Sequence, residues 1–273
     1  MARRGKLAGR QPPQLPLPAR VIRVDPAGLG TAHAANICKC DDGCEYIVKD
    51  GTALCPIPHA EWLCTKLAEK LGIPSIPCRV VDMPTTPGAA TYRKMFGSRY
   101  MQEFPRGGII APWYALVASG DIILTEISAV LSRIYAFDHV IHNIDRHLNN
   151  FFVSPSRTSV SIYSIDYSKA WTYRGFPLAP LPFDLADGEH RTVTAQRDLT
   201  RMWGPWINPQ EVFLFLGLVK QIDRSVIKDI IESHPNEWLS GSQKKDILKW
   251  WGSKEFLERI NGIWKGIGDG SYF

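Results

Sequence analysis

The stretch Asn143-Ile144-Asp145-Arg146-His147-Leu148-Asn149-Asn150 sets an acidic residue five positions ahead of an amide, and Ile165-Asp166-Tyr167-Ser168 begins fifteen residues after that amide. Working outward, Ile127, Val130, Leu131, Ile134, Phe137 and Ile141 recur at helical spacing and predict a helix over 122–142 that delivers Asp145. On the other side, Phe151-Phe152-Val153 and the apolar run 160–165 predict a hairpin turning at Ser154-Pro155-Ser156. Such a hairpin returns Asp166 to the side of Asn150. The order helix, loop, hairpin, carboxylate therefore gathers Asp145, Asn150 and Asp166. These residue types suit phosphoryl transfer: one carboxylate orients and deprotonates an acceptor hydroxyl, while an amide oxygen and a second carboxylate are hard ligands for Mg²⁺. The competing reading is a polar turn, in which Asp145 and Asn150 cap backbone groups and Arg146 pairs with a neighbouring acid. Each residue alone fits that turn, but the joint spacing favours the site. His147 either orders the loop by hydrogen bonds or is a satisfied core histidine, and the second, structural role is preferred.

Upstream, residues 20–24, 37–40 and 45–49 read as strands, the last two joined by a turn at Asp41-Asp42-Gly43. Between the first two, Gly28-Leu29-Gly30 leaves room for backbone N–H groups to approach a phosphate, although glycines between strands also simply make turns. Lys49 ends the third strand. Pro58 opens a helical run to Leu71 that Gly72 and Pro74 close, with Leu63, Leu67 and Leu71 on one stripe. Glu61 is expected in its first turn, where it either faces the helix dipole or pairs with Lys49. Further strands are expected at 73–83 and 99–104, the second running into Pro105-Arg106-Gly107-Gly108. Segments 209–221, 224–234 and 243–265 read as helices, with Trp250, Trp251 and Trp264 in the core. The chain has no internal repeat.

Asp145-Arg146-His147 with Asn150, followed by Ile165-Asp166, resembles the catalytic and metal-binding loops of HipA-like and phosphatidylinositol-type kinases, in which the basic residues follow the aspartate. The resemblance covers roughly residues 20–240. It implies an α+β, bilobal, protein-kinase-like fold, with a small β-rich lobe with one helix over 21–104 and a larger, mainly helical lobe over 105–273, preceded by a basic Pro-rich arm over 1–20 that composition marks. It also implies transfer of the γ-phosphate of ATP, with Mg²⁺, to a hydroxyl, with a protein serine or threonine the leading acceptor. On this resemblance Asp145 is the catalytic aspartate, and Asn150 and Asp166 bind the metal. Lys49 grips the phosphates and is held by Glu61, and Gln102 and Phe104 are the hinge positions that meet the adenine edge. The glycine of the D-F-G element is missing here, where Asp166-Tyr167-Ser168 stands. HipA-like proteins often act as toxins of toxin–antitoxin pairs, which makes an antitoxin a candidate partner. Two other readings stay open: a small-molecule or lipid kinase, and a nucleotide-binding pseudokinase serving as an interaction module.

With 273 residues, 45% of them hydrophobic, the chain can bury a core in one domain or two lobes. Its formal charge of +5 arises at the start: Arg3, Arg4, Lys6, Arg10 and Arg20 stand in residues 1–20 without an acid, and subtracting these five from 32 basic residues leaves 27 against 27 acidic ones. The remaining body is neutral, so no nucleic-acid-binding face is expected. Pro12, Pro13, Pro16 and Pro18 exclude a regular helix from the same segment, which reads as a flexible or polyproline-like arm. No stretch reaches the roughly eighteen apolar residues of a membrane span and no secretory core is evident, so a cytoplasmic protein is expected. Cys38, Cys40 and Cys44, with His33 or His59, invite a zinc reading. The spacing is not that of a standard knuckle, and buried free thiols are expected instead.

Overall fold

The computed structural model describes residues 17–25, 36–51, 56–101, 117, 119–120, 123–155, 160–171, 191–270 and 272, of which 126, 153–155 and 160 are described by backbone alone. Five strands, β1 (Ala19–Asp25), β2 (Asn36–Cys40), β3 (Glu45–Lys49), β4 (Cys78–Pro84) and β5 (Tyr92–Arg99), form a closed barrel in the order β1-β2-β3-β5-β4. Parallel pairing of Ala19 with Val81 and Arg20 with Asp82 closes it. Ala19, Cys38, Cys40, Tyr46, Val48, Val81 and Met95 pack the interior. Because a strand alternates faces, Tyr46 and Val48 inside place Lys49 on the outer face of β3, opposite Phe96 of β5.

Helix α1 (Ile57–Lys70) lies between β3 and β4 in the chain. Pro58 sits in its first turn, where a missing N–H costs nothing, and Gly72, at φ +73°, takes the left-handed turn that ends it. The first turn holds no acidic residue: the helix starts at Ile57, so Glu61 falls in the second turn and is buried, and the expected dipole position is corrected. The strands expected at 73–83 and 99–104 are also corrected. β4 begins only at Cys78, and β5 ends at Arg99, where the second of those strands was expected to begin. β5 hides from a reading of hydrophobic alternation because Lys94 on it is neutralised by Asp82 of β4, and because Gly97 is required by packing and not by a turn.

Beyond the barrel, α2 (Leu124–Val140) is followed by a single 3₁₀ turn (Leu148–Asn150) and by the hairpin β6 (Phe151–Pro155) and β7 (Val160–Ser164). Then come α3 (Arg191–Trp203), α4 (Pro209–Gln221), α5 (Arg224–Glu232), α6 (Gly241–Trp250) and α7 (Lys254–Gly268). The expected helix over 243–265 is two helices, divided at Trp251-Gly252-Ser253, where Gly252 takes φ +77° and Ser253 caps α7. Trp250 and Trp251 are buried as expected, but Trp264 is 39% exposed and leans on Phe213. One continuous core joins α1 to α2 and the C-terminal helices, separate from the barrel interior. The strands and helices together make an α+β chain. Among the described residues no helix is long and apolar enough to cross a membrane.

Cys38 and Cys40 point into the barrel, where burial raises their thiols to about 11 and about 12. At neutral pH they are protonated and act as small apolar side chains. His33 and Cys55 lie outside the described residues.

Candidate active site

Lys49, Glu61 and Asp166 come from three separate parts of the chain and meet in one buried cluster. The Lys49 Nζ lies 2.6 Å from Glu61 Oε1 and 2.8 Å from Asp166 Oδ1. The second oxygen of Glu61, Oε2, accepts from the backbone N–H of Tyr167 at 3.1 Å. Burial opposes charge on Lys49, but Asp166 and Glu61 outweigh it and raise its pKa, so it is a fixed cation. Burial lifts Glu61 to about 7 despite Lys49. Asp166 also resists burial, and the Lys49 ammonium holds its carboxyl well below the usual range. Two carboxyl groups thus share the one ammonium of Lys49.

Asp166 follows β7 in the left-handed region, at φ +59°, a conformation aspartate enters more readily than most residues. That turn folds its carboxylate back onto the next residues. The Ser168 hydroxyl donates to Asp166 Oδ1 at 2.6 Å, and the Ser168 N–H donates at 3.3 Å. The position where glycine was expected therefore carries a side chain that pins the carboxylate.

The loop from 143 to 150 is organised by Arg146, whose side chain is fully buried. Its Nε is 2.7 Å from Asp138 Oδ2 and its Nη2 is 2.9 Å from Asp138 Oδ1, a two-pronged pair to the last turn of α2. Its Nη1 donates to the carbonyls of Asn150 and Ile165, so one guanidinium ties the end of the loop to the residue before Asp166. The rings of Phe151 and Tyr167 lie 5.2 and 5.1 Å from its centre. Asn150 donates from Nδ2 to the Asp145 carbonyl at 2.9 Å, which turns its amide oxygen the other way. His147 accepts the Asn149 N–H at 3.3 Å and caps the 3₁₀ turn that carries Asn150; it is half-buried, so it orders the loop by a hydrogen bond and is not the core histidine expected.

The Asp145 carboxylate stands between two cations, Lys169 Nζ at 3.3 Å and Arg191 Nε at 3.4 Å. Sequence reasoning passed over both, as well as Arg146 in its tying role and Thr192. Thr192 opens α3 and fixes the loop from outside: its hydroxyl donates to the Asn143 carbonyl at 2.6 Å and accepts the Arg146 N–H at 3.0 Å. The one available signal was Lys169, three residues after Asp166. Gln102, Phe104 and the glycines at 28 and 30 lie outside the described residues. Of the predicted site residues that are described, Lys49, Glu61 and Asp166 touch, and Asp145 and Asn150 are joined by their own hydrogen bond. The two groups are linked by the Ile165 N–H, which donates to the Asn150 carbonyl at 3.2 Å.

Such a constellation, a caged lysine beside a loop that carries a carboxylate and an amide, is that of a phosphotransferase, and comparison with known proteins agrees. The family model of HipA-like kinases matches residues 27–174, or 148 of the 273 residues, and the chain belongs to that family. No curated protein matches the sequence. Solved structures similar to the chain include the proinflammatory kinase CtkA of Helicobacter pylori, at 11% identity and a TM-score of 0.44, covering 87% of this chain and 95% of that one. Another is HipA from Shewanella oneidensis MR-1, solved as a toxin–antitoxin complex with HipB and operator DNA: 10% identity, TM-score 0.46, 80% of this chain covered. The present chain spans 57% of the length of that HipA. A Golgi casein kinase with Mn and ADP bound is similar at 12% identity and a TM-score of 0.47, covering 92% of this chain and 73% of that one.

Proposed function

We propose that the protein transfers the γ-phosphate of ATP, with Mg²⁺, to a hydroxyl of a protein serine or threonine. The observation that carries this reading is the position of Lys49, held between Glu61 and Asp166 on the wall next to the loop of Asp145 and Asn150. In this reading the bilobal division falls near residue 104, the barrel and α1 form the small lobe, and Gln102 and Phe104 meet the adenine.

The residues present fit a divalent cation bound together with nucleotide. Asp166 offers a carboxylate and Asn150 an amide oxygen turned away from its own hydrogen bond, both hard donors. When bound, Mg²⁺ neutralises phosphate charge during transfer. Lys49 holds the phosphates, and Glu61 fixes the lysine so that it does not collapse onto Asp166 alone. Asp145 accepts the hydrogen bond of the acceptor hydroxyl and takes its proton. Lys169 and Arg191, which pair with Asp145, yield to that hydroxyl and remain close to the charge developing on the transferred group.

The test is incubation of the purified full chain with γ-labelled ATP, Mg²⁺ and separated protein, lipid and small-molecule fractions. Label on protein serine or threonine is the expected result. Label confined to lipids or small molecules would move the acceptor class, and ATP binding without any labelling would make the chain a pseudokinase. Family membership also makes an antitoxin protein the partner to test for by co-purification.

A further inference from the structure

Glu61 is buried against Lys49, yet the helix that carries it is held from behind by a segment far along the chain. His59 and Trp62 are three residues apart on α1 and share one face. At about 100° per residue, Glu61 points roughly 130° away from the middle of that face. Residues 233–239, between α5 and α6, cover it. His59 Nδ1 is 2.8 Å from His234 Nε2, the Trp62 Nε1 donates to Ser233 Oγ at 2.9 Å, and the rings of Trp62 and Trp238 meet edge to face at 6.1 Å. The Trp238 Nε1 in turn donates to the Lys94 carbonyl of β5 at 2.9 Å. β5 is the strand paired with β3, and Phe96 on it stands opposite Lys49.

One short segment therefore grips both halves of the ion pair: the helix of Glu61 and the strand beside Lys49. Its polar contacts are also directional. The Pro235 carbonyl, 2.8 Å from His234 Nδ1, can only accept, so that nitrogen carries the proton. His234 Nε2 is then the acceptor and His59 Nδ1 the donor. The matched residues of the kinase family end at 174, so the gripping residues Ser233, His234 and Trp238 lie outside them, while His59, Trp62 and Lys94 lie within. The core has the same arrangement, since α1 packs with the C-terminal helices and not with the barrel interior.

We propose that Ser233, His234 and Trp238 are positioning residues for phosphoryl transfer, a clamp that the C-terminal region supplies to keep Glu61 against Lys49. The proposal rests on the kinase reading of Lys49 and Glu61. It assigns residues 233–238 a part in nucleotide binding that reaches the site through α1 and β5, apart from the direct contacts of Arg191 and Thr192 with the loop of Asp145.

The test uses Ser233→Ala, which removes the acceptor of the Trp62 N–H, and Trp238→Phe, which keeps a ring but removes the bond to β5. Both are made in the full chain and again with Glu61→Gln. Affinity for ATP with Mg²⁺ is measured by calorimetry, and melting temperature alongside it. The clamp predicts that the two changes together weaken ATP binding about tenfold, that this loss vanishes when Glu61→Gln is already present, and that the shift in melting temperature is the same in both backgrounds. If Trp238→Phe does not fold, Ser233→Ala alone must show a loss that depends on Glu61. Unchanged ATP affinity in a folded variant, or an equal loss with and without Glu61, overturns the clamp and leaves the kinase reading standing. A parent protein that binds no ATP overturns both.

Discussion

Arg146 shows how much a single side chain in the loop has to do. The sequence offered it as the partner of a neighbouring acid in an ordinary turn, and it does pair with an acid, Asp138, but fully buried and with two further bonds to the carbonyls of Asn150 and Ile165. Removing one partner of a buried pair leaves the other charge uncompensated. Arg146→Met is therefore expected to destabilise the fold by about 3–5 kcal/mol, measured by urea denaturation, and a loss under about 1 kcal/mol would contradict the tying role. At Asp166 the change that matters is charge. Asp166→Asn removes the carboxylate proposed to hold the metal and one of the two that flank Lys49. Calorimetry is expected to show weaker binding of ATP in the presence of Mg²⁺ and little change in its absence. Equal affinity for Mg-ATP in variant and parent would remove Asp166 from the metal site.

Among the elements, those whose burial follows a simple period were legible and those stabilised by other means were not. α2, α4 and the hairpin announce themselves through Ile, Leu, Val and Phe at helical or alternating spacing. α3 does not. Its buried face includes Thr192 and Gln196 beside Val193, Ala195 and Leu199, so polar residues break the stripe, and the element that anchors the loop of Asp145 was missed. β5 was displaced for a related reason, since a paired lysine and a glycine replace two of the apolar positions a strand usually shows. Gly97 is explained only by packing: a Cβ there would stand 2.5 Å from Val81 Cγ2 and 3.3 Å from Tyr46. Gly97→Ala is accordingly expected to cost about 1–3 kcal/mol, because the close-packed barrel has to shift to admit one methyl group. A variant as stable as the parent would show that the barrel wall gives way freely. The site itself was more legible than its supports. Lys49, Glu61, Asp145, Asn150 and Asp166 belong to a motif whose residue types and spacing stand out in the sequence, whereas Thr192, Lys169 and Arg191 act through contacts that only the folded chain brings about.

For the molecule as a whole, a loss of stability in acid follows from histidines buried without charge. Burial lowers His234 to about 4 and His139 to about 3, with His59 also pushed down, against 6.5 for the free side chain. A group whose folded pKa is depressed favours its neutral form in the fold, so its contribution is complete above pH 6.5 and is lost as the pH falls, while the unfolded chain takes up protons the fold refuses. Glu61 acts in the opposite sense. Raised to about 7, it is protonated in the fold before it is in the unfolded chain, which offsets part of the loss between pH 7 and 4.5. Three histidines outweigh one carboxyl, and the urea midpoint is expected to fall between pH 7 and 5. A midpoint that holds or rises over that range would contradict the neutral state of these histidines.

The same molecule-wide view sets the central test, because β3 of the barrel, α1 and the hairpin bring Lys49, Glu61 and Asp166 to one candidate site. The most direct measurement compares the parent and Asp145→Ala for transfer of label from γ-labelled ATP to protein, with ATP affinity determined on the same samples. Asp145 is read as acting on the acceptor hydroxyl while Lys49, Asn150 and Asp166 hold the nucleotide and its metal. The predicted result is transfer by the parent, a loss of at least about a hundredfold in the variant, and ATP affinity within about threefold of the parent. An Asp145→Ala protein that still transfers phosphate at the parent's rate would contradict the account.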